Sequence, residues 1–361
     1  MAKKILKACI VGATGIVGQQ FIVALQNHPF IKIAGLAGSE RSAGKKYGDA
    51  TRAANGASQW FCEEKPKPEI KDMTVLLSSE IDAADYDVIF TALEADTARI
   101  LEPKYAVTTP VISTASAFRY DDDVPLLIPN VNPEHSKLLD VQRKKRGWKG
   151  FITPNPNCTT VGLAITLKPL AEAFGIRTVL MTSMQAISGA GRSGGVLGLD
   201  ILDNVIPYIP KEEEKVQLET KKILGAFSGE AIHDGAFGVS CTCTRVGVQD
   251  GHTESVFVAL DKHATPAEVK AAMVAFNGEA AKHLPSAPCN MITVTDDPFR
   301  PQPKWDRLLE DGMTTVVGRI REDAALPNGI KYVLVSHNTK MGAAKGCVLT
   351  AEMLAEQGYI G

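Results

Sequence analysis

The sequence predicts a two-domain α/β protein, from its length and from a change of pattern near its middle. At 361 residues, the chain exceeds the usual size of a single domain, so two domains are expected. Before residue 130, short apolar runs alternate with segments of helical spacing, as in parallel β-α-β units. After Pro154 the strand-like runs become longer, which indicates an antiparallel sheet in an α+β domain.

In the first domain, the apolar runs are short and almost continuous, as expected for the buried strands of a parallel sheet. The segments between them carry apolar residues every three or four positions, which is the spacing of an amphipathic helix. We predict strands at 5–11, 31–37, 88–92 and 111–113, with helices at 17–25 and 95–101.

The second domain is expected to begin with a helix and to continue with longer strands. The tripeptide Gln249-Asp250-Gly251 is a typical tight turn, so the strands on either side of it are expected to form a hairpin. The predicted helices are 161–174 and 343–357, and the predicted strands are 177–186, 238–248, 254–260, 314–320 and 331–336. We assign residues 1–156 with the returning segment 338–361 to the first domain. Residues 157–337 form the second, built on a mainly antiparallel sheet.

The composition excludes several classes of protein. Apolar residues make up 45% of the chain and charged residues 22%, values typical of a globular protein and not of a disordered chain or a fibre. With 39 basic and 41 acidic side chains, the formal net charge is −2, so the sequence offers no basic field for nucleic acid or an anionic membrane. The seven cysteines show no zinc-site spacing, and no apolar stretch reaches the roughly 18 residues of a membrane helix. We therefore expect a cytoplasmic protein with reduced thiols, no metal, and no nucleic-acid or membrane partner.

Three glycines, Gly12, Gly15 and Gly18, stand between the first predicted strand and the first predicted helix. Glycine permits a tight turn here and lets the backbone approach a pyrophosphate at the positive end of the helix. The spacing is GxxGxxG, a variant of the commoner GxGxxG. Because it follows a strand and opens a helix, it predicts a Rossmann-type dinucleotide-binding domain.

The end of the second predicted strand bears on the choice of nicotinamide cofactor. Enzymes that use NAD carry an acidic residue here, which hydrogen-bonds the ribose 2′-hydroxyl. In this chain Arg41 lies between Ser39 and Ser42, and a guanidinium with two nearby hydroxyls suits the 2′-phosphate of NADP. Glu40 could instead take the acidic position, so NAD stays open, while NADP is the cofactor that we predict.

Cys158 lies at a predicted helix start, directly after the capping residue Asn157. The helix dipole stabilises a thiolate at such a position, so we expect a lowered pKa and a nucleophilic sulfur. Arg245 precedes the predicted turn and His252 follows it, and a hairpin would bring both to one end of the sheet. His252 could then act as a general base toward the thiol. Each residue taken singly also has a plainer interpretation: a buried cysteine, a turn histidine in water and a surface arginine paired with a carboxylate.

Together these stretches resemble the aspartate-semialdehyde dehydrogenase family over essentially the whole chain. The matching segments are 12–18, 157–159, 185–191 and 206–210, together with Arg245 and His252 seven residues later. The residues at 154–160, Pro-Asn-Pro-Asn-Cys-Thr-Thr, are more similar to the fungal and archaeal branch than to the main bacterial branch.

The resemblance implies a role for each matched residue. Cys158 is expected to be the acylated nucleophile, His252 its acid/base partner, and Gln185 the residue that orients the thioester. The expected substrate-binding residues are Arg245 for the carboxylate, Glu219 for the amino group, Arg119 and Lys222 for phosphate, and Asn157 beside them. The expected cofactor-binding residues are Gly12, Thr14, Gly15, Ile16, Val17, Ser39, Arg41, Ser42, Ser188, Gly189 and Asn338.

The reaction implied by the resemblance is a reversible, NADPH-dependent reduction. L-aspartyl 4-phosphate would become L-aspartate 4-semialdehyde and phosphate through a thioester on Cys158. The resemblance further implies a homo-oligomer, dimer or tetramer, and a step that feeds lysine, methionine, threonine and isoleucine synthesis.

Two other functions stay open from the sequence. An N-acetyl-γ-glutamyl-phosphate reductase would use the same chemistry, but its acetylated substrate has no charged amine for Glu219. A noncatalytic NADP-binding redox sensor would share the glycine loop, but it would not need Cys158, Gln185 and His252 together. A short-chain dehydrogenase is disfavoured because the chain contains no Tyr-x-x-x-Lys.

Overall fold

The computed structural model describes residues 4–190, 198–277, 279 and 281–361, and the first part of the chain forms a parallel sheet. Its strands are β1 (Leu6–Val11), β2 (Ile31–Gly38), β3 (Val75–Leu77), β4 (Val88–Thr91), β5 (Val111–Ser113) and β6 (Ile152–Pro154). They follow the order β3-β2-β1-β4-β5-β6, and all five pairs are parallel. The predicted Rossmann-type domain is confirmed. Gly191, the last residue of the matched segment 185–191, lies outside the described residues.

Helices occur in both parts of the chain. Among the described helices, none combines the length and the apolarity needed to span a bilayer. The helices are α1 (Ile16–Leu25), α2 (Tyr47–Ala50), α3 (Pro68–Lys71), α4 (Ala95–Ala106), α5 (Leu138–Arg146), α6 (Cys158–Phe174), α7 (Gly198–Ile201), α8 (Glu212–Ile223), α9 (Pro266–Ala275), α10 (Pro303–Asp306) and α11 (Ala344–Glu356).

The last helix returns to the first sheet, where α11 packs against α1. The contact includes a buried hydrogen bond in which His28 Nε2 lies 2.6 Å from Glu352 Oε1. The hydroxyl of Ser286 donates to the same carboxylate oxygen at 2.6 Å. The assignment of residues 338–361 to the first domain stays a prediction.

The second sheet is mixed, with an antiparallel centre. The strands of this part are β7 (Ile176–Gln185), β8 (Ala226–Phe227), β9 (Ile232–His233), β10 (Gly238–Arg245), β11 (His252–Leu260), β12 (Ile292–Val294), β13 (Thr315–Asp323) and β14 (Gly329–Ser336). The sheet order is β10-β7-β11-β14-β13-β12, and β8 pairs with β9 separately. The pairs β7–β11, β11–β14 and β13–β14 are antiparallel, whereas β10–β7 and β12–β13 at the edges are parallel.

The predicted hairpin across residues 249–251 is wrong. Strand β7 lies between β10 and β11, so these two strands do not pair as a hairpin. Strand β10 runs parallel to β7, and β11 runs antiparallel to it. Arg245 is therefore beside Gln185, and the residues that follow it cross the end of β7 before β11 begins at His252. The side chains of Arg245 and His252 still reach the same end of the sheet, by a route that the turn signal did not reveal.

Helix α6 begins three residues before the predicted start, and it packs against the second sheet. Asn157 Oδ1 accepts the N–H groups of Thr159 (2.9 Å) and Thr160 (3.2 Å), so Cys158 is the first helical residue. One turn later, Gly162 allows the close approach to β14, because a Cβ there would lie 2.8 Å from the Cβ of Ser336. The contact between α6 and the sheet therefore depends on a residue without a side chain.

Gly162→Ala is expected to lower the free energy of unfolding by about 1–3 kcal/mol, the usual cost of overpacking a well-filled core. Urea unfolding measures the change. Gly238→Ala is the matched control, because the nearest atom to its new Cβ is 3.9 Å away; we expect a change within about 0.5 kcal/mol. Equal effects of the two substitutions would contradict the close contact at Gly162.

Candidate active site

A cleft of about 700 Å³ lies where the carboxyl ends of the first sheet meet one end of the second sheet. Parallel α/β sheets place their ligand sites at this edge. The lining comes from the start of α1 (16 and 17), the ends of β4 and β5 (93–95 and 114–116), Arg119, the start of α6 (155–158), the ends of β7 and β10 (185, 188–190 and 245), the segment 206–215 in part, and residues 338, 339, 342 and 343.

Cys158 lines this cleft and contacts His252, which lies directly behind the lining. Cys158 Sγ lies 3.1 Å from Nε2 of His252, and the imidazole is fully buried. The other ring nitrogen, Nδ1, accepts the backbone N–H of Ala186 at 3.1 Å. A histidine turned toward water at a surface turn, one of the plainer interpretations, is excluded by this burial.

Burial sets the protonation of both groups. It raises the pKa of the Cys158 thiol to about 12, and the negative charge of Glu212 acts in the same direction. Arg119, Arg245 and a backbone N–H act against the shift but do not cancel it. The prediction of a lowered pKa for the Cys158 thiol is therefore wrong. Burial also lowers the pKa of His252 to about 3, helped by the positive charge of Arg245, so the imidazole is neutral at physiological pH.

Arg245 and Gln185 end neighbouring strands and line the cleft beside the sulfur. Arg245 is buried, and its Nη1 donates to the carbonyl of Ala186 at 2.7 Å. Gln185 Nε2 donates to Ser183 Oγ at 3.2 Å. Gly189 completes this wall, because a Cβ there would lie 3.1 Å from Arg245 Nη1. The guanidinium is thus held within the cleft, which excludes a surface ion pair for Arg245.

Arg119 presents an unsatisfied donor in the same cleft. Its Nη1 donates to Glu219 Oε1 at 3.0 Å and its Nη2 donates to the carbonyl of Thr114 at 3.1 Å. Its buried Nε has no partner among the described residues. A buried N–H of a cation without a partner is costly, and an anionic oxygen of a ligand would satisfy it.

Glu219 and Lys222 lie beside Arg119 and behind the lining of the cleft. Glu219 is fully buried and does not line the cleft. Its carboxylate accepts from Arg119, from the hydroxyl of Tyr120 (3.2 Å) and from the backbone N–H of Asn157 (2.5 Å). Lys222 Nζ donates to the carbonyls of Arg119 (2.9 Å) and Asp121 (3.0 Å). Both side chains bind protein groups in this structure, and their contact with substrate stays a prediction.

Glu212 and Lys215 line the cleft instead. Glu212 lies seven residues before Glu219, two turns along the same helix face, and it accepts from Asn157 Nδ2 at 2.7 Å. Lys215 Nζ lies 3.4 Å from Glu212 Oε2. The sequence pattern Glu-x-x-Lys occurs at both places, so the spacing could have indicated Glu212 as readily as Glu219. Asn157 caps α6, contacts Glu212 and Glu219, and also lines the cleft.

The start of α1, directly after the glycine loop, forms the opposite wall. Gly12 has a φ of +81°, and a Cβ there would lie 2.2 Å from the carbonyl oxygen of Ala92. Helix α1 begins after Gly15 without a side-chain cap and without an acidic residue in its first turn, which leaves its positive end suited to phosphate. Ile16 and Val17 line the cleft, whereas the loop residues Gly12, Thr14 and Gly15 are absent from its lining.

The residues predicted to select NADP lie beyond the cleft, in the turn after β2. Ser39 and Arg41 are exposed. Ser42 is buried, and its backbone N–H and its hydroxyl both donate to the carbonyl of Ser39, at 2.9 and 3.0 Å. Arg41 is therefore accessible to a ligand, while Ser42 shapes the turn.

Ser188, Gly189 and Asn338 lie together near His252, and all three line the cleft. Asn338 Nδ2 donates to Ser188 Oγ at 2.8 Å, and its Oδ1 accepts the N–H of Gly251 at 2.9 Å. Asn338 thus joins the segment after β7 to the residue that precedes β11.

A parallel dinucleotide-type domain, together with a cysteine that lines the cleft and contacts a buried histidine, defines a cysteine-dependent dehydrogenase. Comparison with known protein families supports this class. Residues 7–139 match the family model "Semialdehyde dehydrogenase, NAD binding domain", and residues 167–341 match "Semialdehyde dehydrogenase, dimerisation domain".

Curated relatives and a solved structure identify the family within this class of dehydrogenases. The aspartate-semialdehyde dehydrogenase of Methanothermobacter thermautotrophicus is 46% identical, over 96% of this chain and 98% of that protein. The enzyme of the same name from Candida albicans is 42% identical, over 98% and 99%. The crystal structure of the Candida albicans aspartate-semialdehyde dehydrogenase with NADP has a TM-score of 0.87 at 40% sequence identity, with 99% of this chain and 100% of that chain covered. The chain belongs to the aspartate-semialdehyde dehydrogenase family, and its predicted similarity to archaeal and fungal members is confirmed.

Alkylation of Cys158 by iodoacetamide is expected to accelerate about tenfold for each pH unit from pH 7 to pH 10, because only the thiolate reacts and its fraction rises with pH below the pKa. Mass spectrometry of the Cys158 peptide measures the initial rate. Glu212→Gln removes a charge that raises this pKa and should speed the reaction at pH 8. Glu214→Gln, at an exposed position of α8, should leave it unchanged. A rate plateau below pH 9 would contradict the raised pKa.

Proposed function

We propose that the protein catalyses the reversible, NADPH-dependent reduction of L-aspartyl 4-phosphate to L-aspartate 4-semialdehyde and phosphate. The observation that carries the proposal is the 3.1 Å contact between Cys158 Sγ and His252 Nε2, in a cleft whose opposite wall is the start of α1. Family membership supports the same conclusion, since the curated relatives are named for this activity. We propose further that it acts as a homo-oligomer in the cytoplasm, with domains 1–156 plus 338–361 and 157–337.

NADP is the cofactor that we propose. The uncapped first turn of α1 and the side-chain-free Gly15 suit a pyrophosphate, and the exposed Arg41 suits a 2′-phosphate. The related Candida albicans structure was determined with NADP. When bound, NADPH supplies the hydride that reduces the thioester carbon.

Cys158 performs the covalent step. Its sulfur attacks the acyl carbon, a carbon–sulfur bond forms, and the carbon–oxygen bond to phosphate breaks. The thiol proton ends on the departing phosphate, which leaves as hydrogen phosphate. The orphan Nε of Arg119 is the group best placed to bind this anion. Gln185, beside the sulfur at the end of β7, orients the thioester.

The substrate's charged groups are expected to pair with Arg245 and Glu212. Arg245 lines the cleft, and its Nη1 donates to the neutral carbonyl of Ala186, so its guanidinium is suited to the α-carboxylate. Glu212 lines the same cleft and offers negative charge to the α-ammonium. Glu219 lies behind the lining of the cleft, where its carboxylate accepts hydrogen bonds from Arg119 and from the backbone N–H of Asn157.

Cys158→Ser is expected to reduce phosphate-dependent oxidation of aspartate semialdehyde by several orders of magnitude, because the hydroxyl is a far weaker nucleophile. NADPH formation measured by absorbance tests this. Cys289→Ser, at an exposed free cysteine, is the matched control and should keep full activity. Substantial turnover by the Cys158→Ser enzyme would sink the covalent mechanism, and no turnover by the unmodified protein would sink the proposed reaction.

Discrimination between substrates tests the charged contacts. Sites that pair a charged group reject analogues that lack it strongly, so we expect kcat/KM for aspartate semialdehyde to exceed that for N-acetylglutamate semialdehyde by at least about a thousandfold. Glu212→Gln should raise KM for aspartate semialdehyde and leave NADP affinity unchanged. Glu219→Gln should weaken phosphate binding instead, through Arg119. If Glu219→Gln raised KM for aspartate semialdehyde and Glu212→Gln did not, the ammonium contact would be assigned to Glu219.

Arg41→Ala is expected to raise KM for NADPH about ten- to a hundredfold while KM for NADH changes little, because a charge-assisted hydrogen bond to the 2′-phosphate is worth roughly 1.5–3 kcal/mol. Steady-state kinetics with both cofactors measure the split. Arg52→Ala, at an exposed arginine outside the turn after β2, serves as the control. An equal response of NADPH and NADH would assign the choice to Glu40 or another residue.

A further inference from the structure

Glu102 is a buried acidic residue that the proposed reaction does not use. It lies on α4, is fully buried, and does not line the cleft. One carboxyl oxygen, Oε1, accepts the hydroxyls of Thr91 and Ser113 at 2.6 Å each. The other oxygen, Oε2, is buried and has no hydrogen-bond partner among the described residues. Burial of an acidic group costs stability unless the group is well paired, so packing alone does not account for Glu102.

The two hydroxyl donors lie at the carboxyl end of the first sheet. Thr91 ends β4, Ser113 ends β5, and the two residues are direct neighbours in the parallel pairing of these strands. Parallel α/β sheets bind their ligands at this edge. Glu102 therefore joins two strands where the chain leaves them for the cleft, whose lining includes 93–95 after β4 and 114–116 after β5.

Further hydrogen bonds connect Glu102 to the residues that follow β5. Ser113 Oγ, which donates to Glu102, also accepts the backbone N–H of Ala115 at 3.0 Å. The carbonyl of Thr91 accepts the backbone N–H of Thr114 at 3.0 Å and its hydroxyl at 3.1 Å. The two strand ends that Glu102 joins thus fix the backbone directly after β5.

The turn 114–116 holds the side chain of Arg119. The carbonyl of Thr114 accepts a hydrogen bond from Arg119 Nη2 at 3.1 Å. This carbonyl and the N–H of Ala115 belong to one planar peptide unit, so a contact that fixes the N–H also fixes the carbonyl. Arg119 Nη1 donates to Glu219. The buried Nε of Arg119, which has no partner among the described residues, is therefore oriented by the peptide unit and by Glu219.

We propose that Glu102 is a positioning residue of the phosphate site, whose carboxyl group fixes the ends of β4 and β5 and, through the turn 114–116, the direction of Arg119. Glu102 contacts neither phosphate nor the reacting atoms, and it acts only through this series of hydrogen bonds. The effect on phosphate binding rests on the proposed function, whereas the ordering of the turn does not.

The contact with the two hydroxyls requires an acceptor oxygen at the position of Oε1. Burial raises the pKa of Glu102, while the hydroxyls of Ser113 and Thr91 oppose that shift. A glutamine amide offers a carbonyl oxygen that can accept both hydroxyls, whereas methionine fills a similar volume without such an acceptor. Glu102→Gln is therefore expected to keep the contact, and Glu102→Met to remove it. Glu352→Met is the matched control, because Glu352 is equally buried and accepts the hydroxyl of Ser286 away from the cleft.

Hydrogen exchange tests the ordering of the turn directly, without substrate or cofactor. Mass spectrometry of peptides covering 113–119 measures exchange at the amides of Thr114 and Ala115. We expect exchange at least about tenfold faster in Glu102→Met than in the unmodified protein. Glu102→Gln and Glu352→Met should leave these peptides unchanged. Equal exchange in Glu102→Met and the unmodified protein would overturn the proposal. Failure of the semialdehyde reaction would leave this result standing, so the two failures are distinguishable.

Steady-state kinetics of the phosphate-dependent oxidation of aspartate semialdehyde test the consequence for phosphate. Glu102→Met is expected to raise KM for phosphate at least about tenfold, because the charge-assisted bond from Arg119 is misdirected. KM for the semialdehyde should change less than about twofold, since Arg245 lies on the second sheet. Glu102→Gln should stay within about threefold of the unmodified protein in both constants, and Glu352→Met should change neither. Equal rises in both KM values, or a Glu102→Gln enzyme as impaired as Glu102→Met, would contradict the positioning role.

Two smaller substitutions keep the test valid if Glu102→Met does not fold. Ser113→Ala removes the link between Glu102 and the N–H of Ala115 and is expected to raise KM for phosphate at least about fivefold. Thr91→Val removes one hydroxyl donor but keeps the carbonyl that Thr114 contacts, so it should raise this KM less. An equal or reversed order of the two effects would contradict the route through Ser113.

Discussion

The hydrogen bonds of Asn157 are the constraint on which the rest of the site depends. Its Oδ1 caps α6 at two backbone N–H groups, its Nδ2 donates to Glu212, and its own N–H donates to Glu219. A cap of this kind is worth only about 1 kcal/mol in stability. Its larger effect here is positional, because it makes Cys158 the first helical residue and holds its sulfur against His252.

The charges near this cap divide into satisfied and unsatisfied groups. Burial of a charge is costly unless it is paired and hydrogen-bonded, and Glu219 meets that condition with three protein donors. Arg119 keeps one buried N–H without a partner, and among the described residues Arg245 forms no ion pair with a carboxylate. The cleft therefore offers an anionic substrate the unpartnered N–H of Arg119 and the guanidinium of Arg245.

Strand order brings these groups together. Because β7 lies between β10 and β11, the ends of three adjacent strands supply Gln185, Arg245 and His252 at one edge of the sheet. The same edge faces the carboxyl ends of the first sheet, where the glycine loop opens α1. The two sheets thus contribute different groups to the site. The first sheet supplies a backbone suited to phosphate, while α6 supplies the nucleophile Cys158 and the second sheet supplies the neighbouring His252.

The sequence by itself determined the local features, because glycine, proline and capping residues act over a few positions. The parallel sheet, the loop at Gly12, the start of α6 and the family followed from such short-range signals. Strands β3, β6, β8, β9 and β12, each of two or three residues, were not predicted. Only the tertiary structure decided that β7 separates β10 from β11, that Glu212 and not Glu219 reaches the cleft, and that the Cys158 thiol has a raised pKa. These features depend on burial and on neighbours distant in the chain, and a helix-start motif does not reveal how much protein surrounds it.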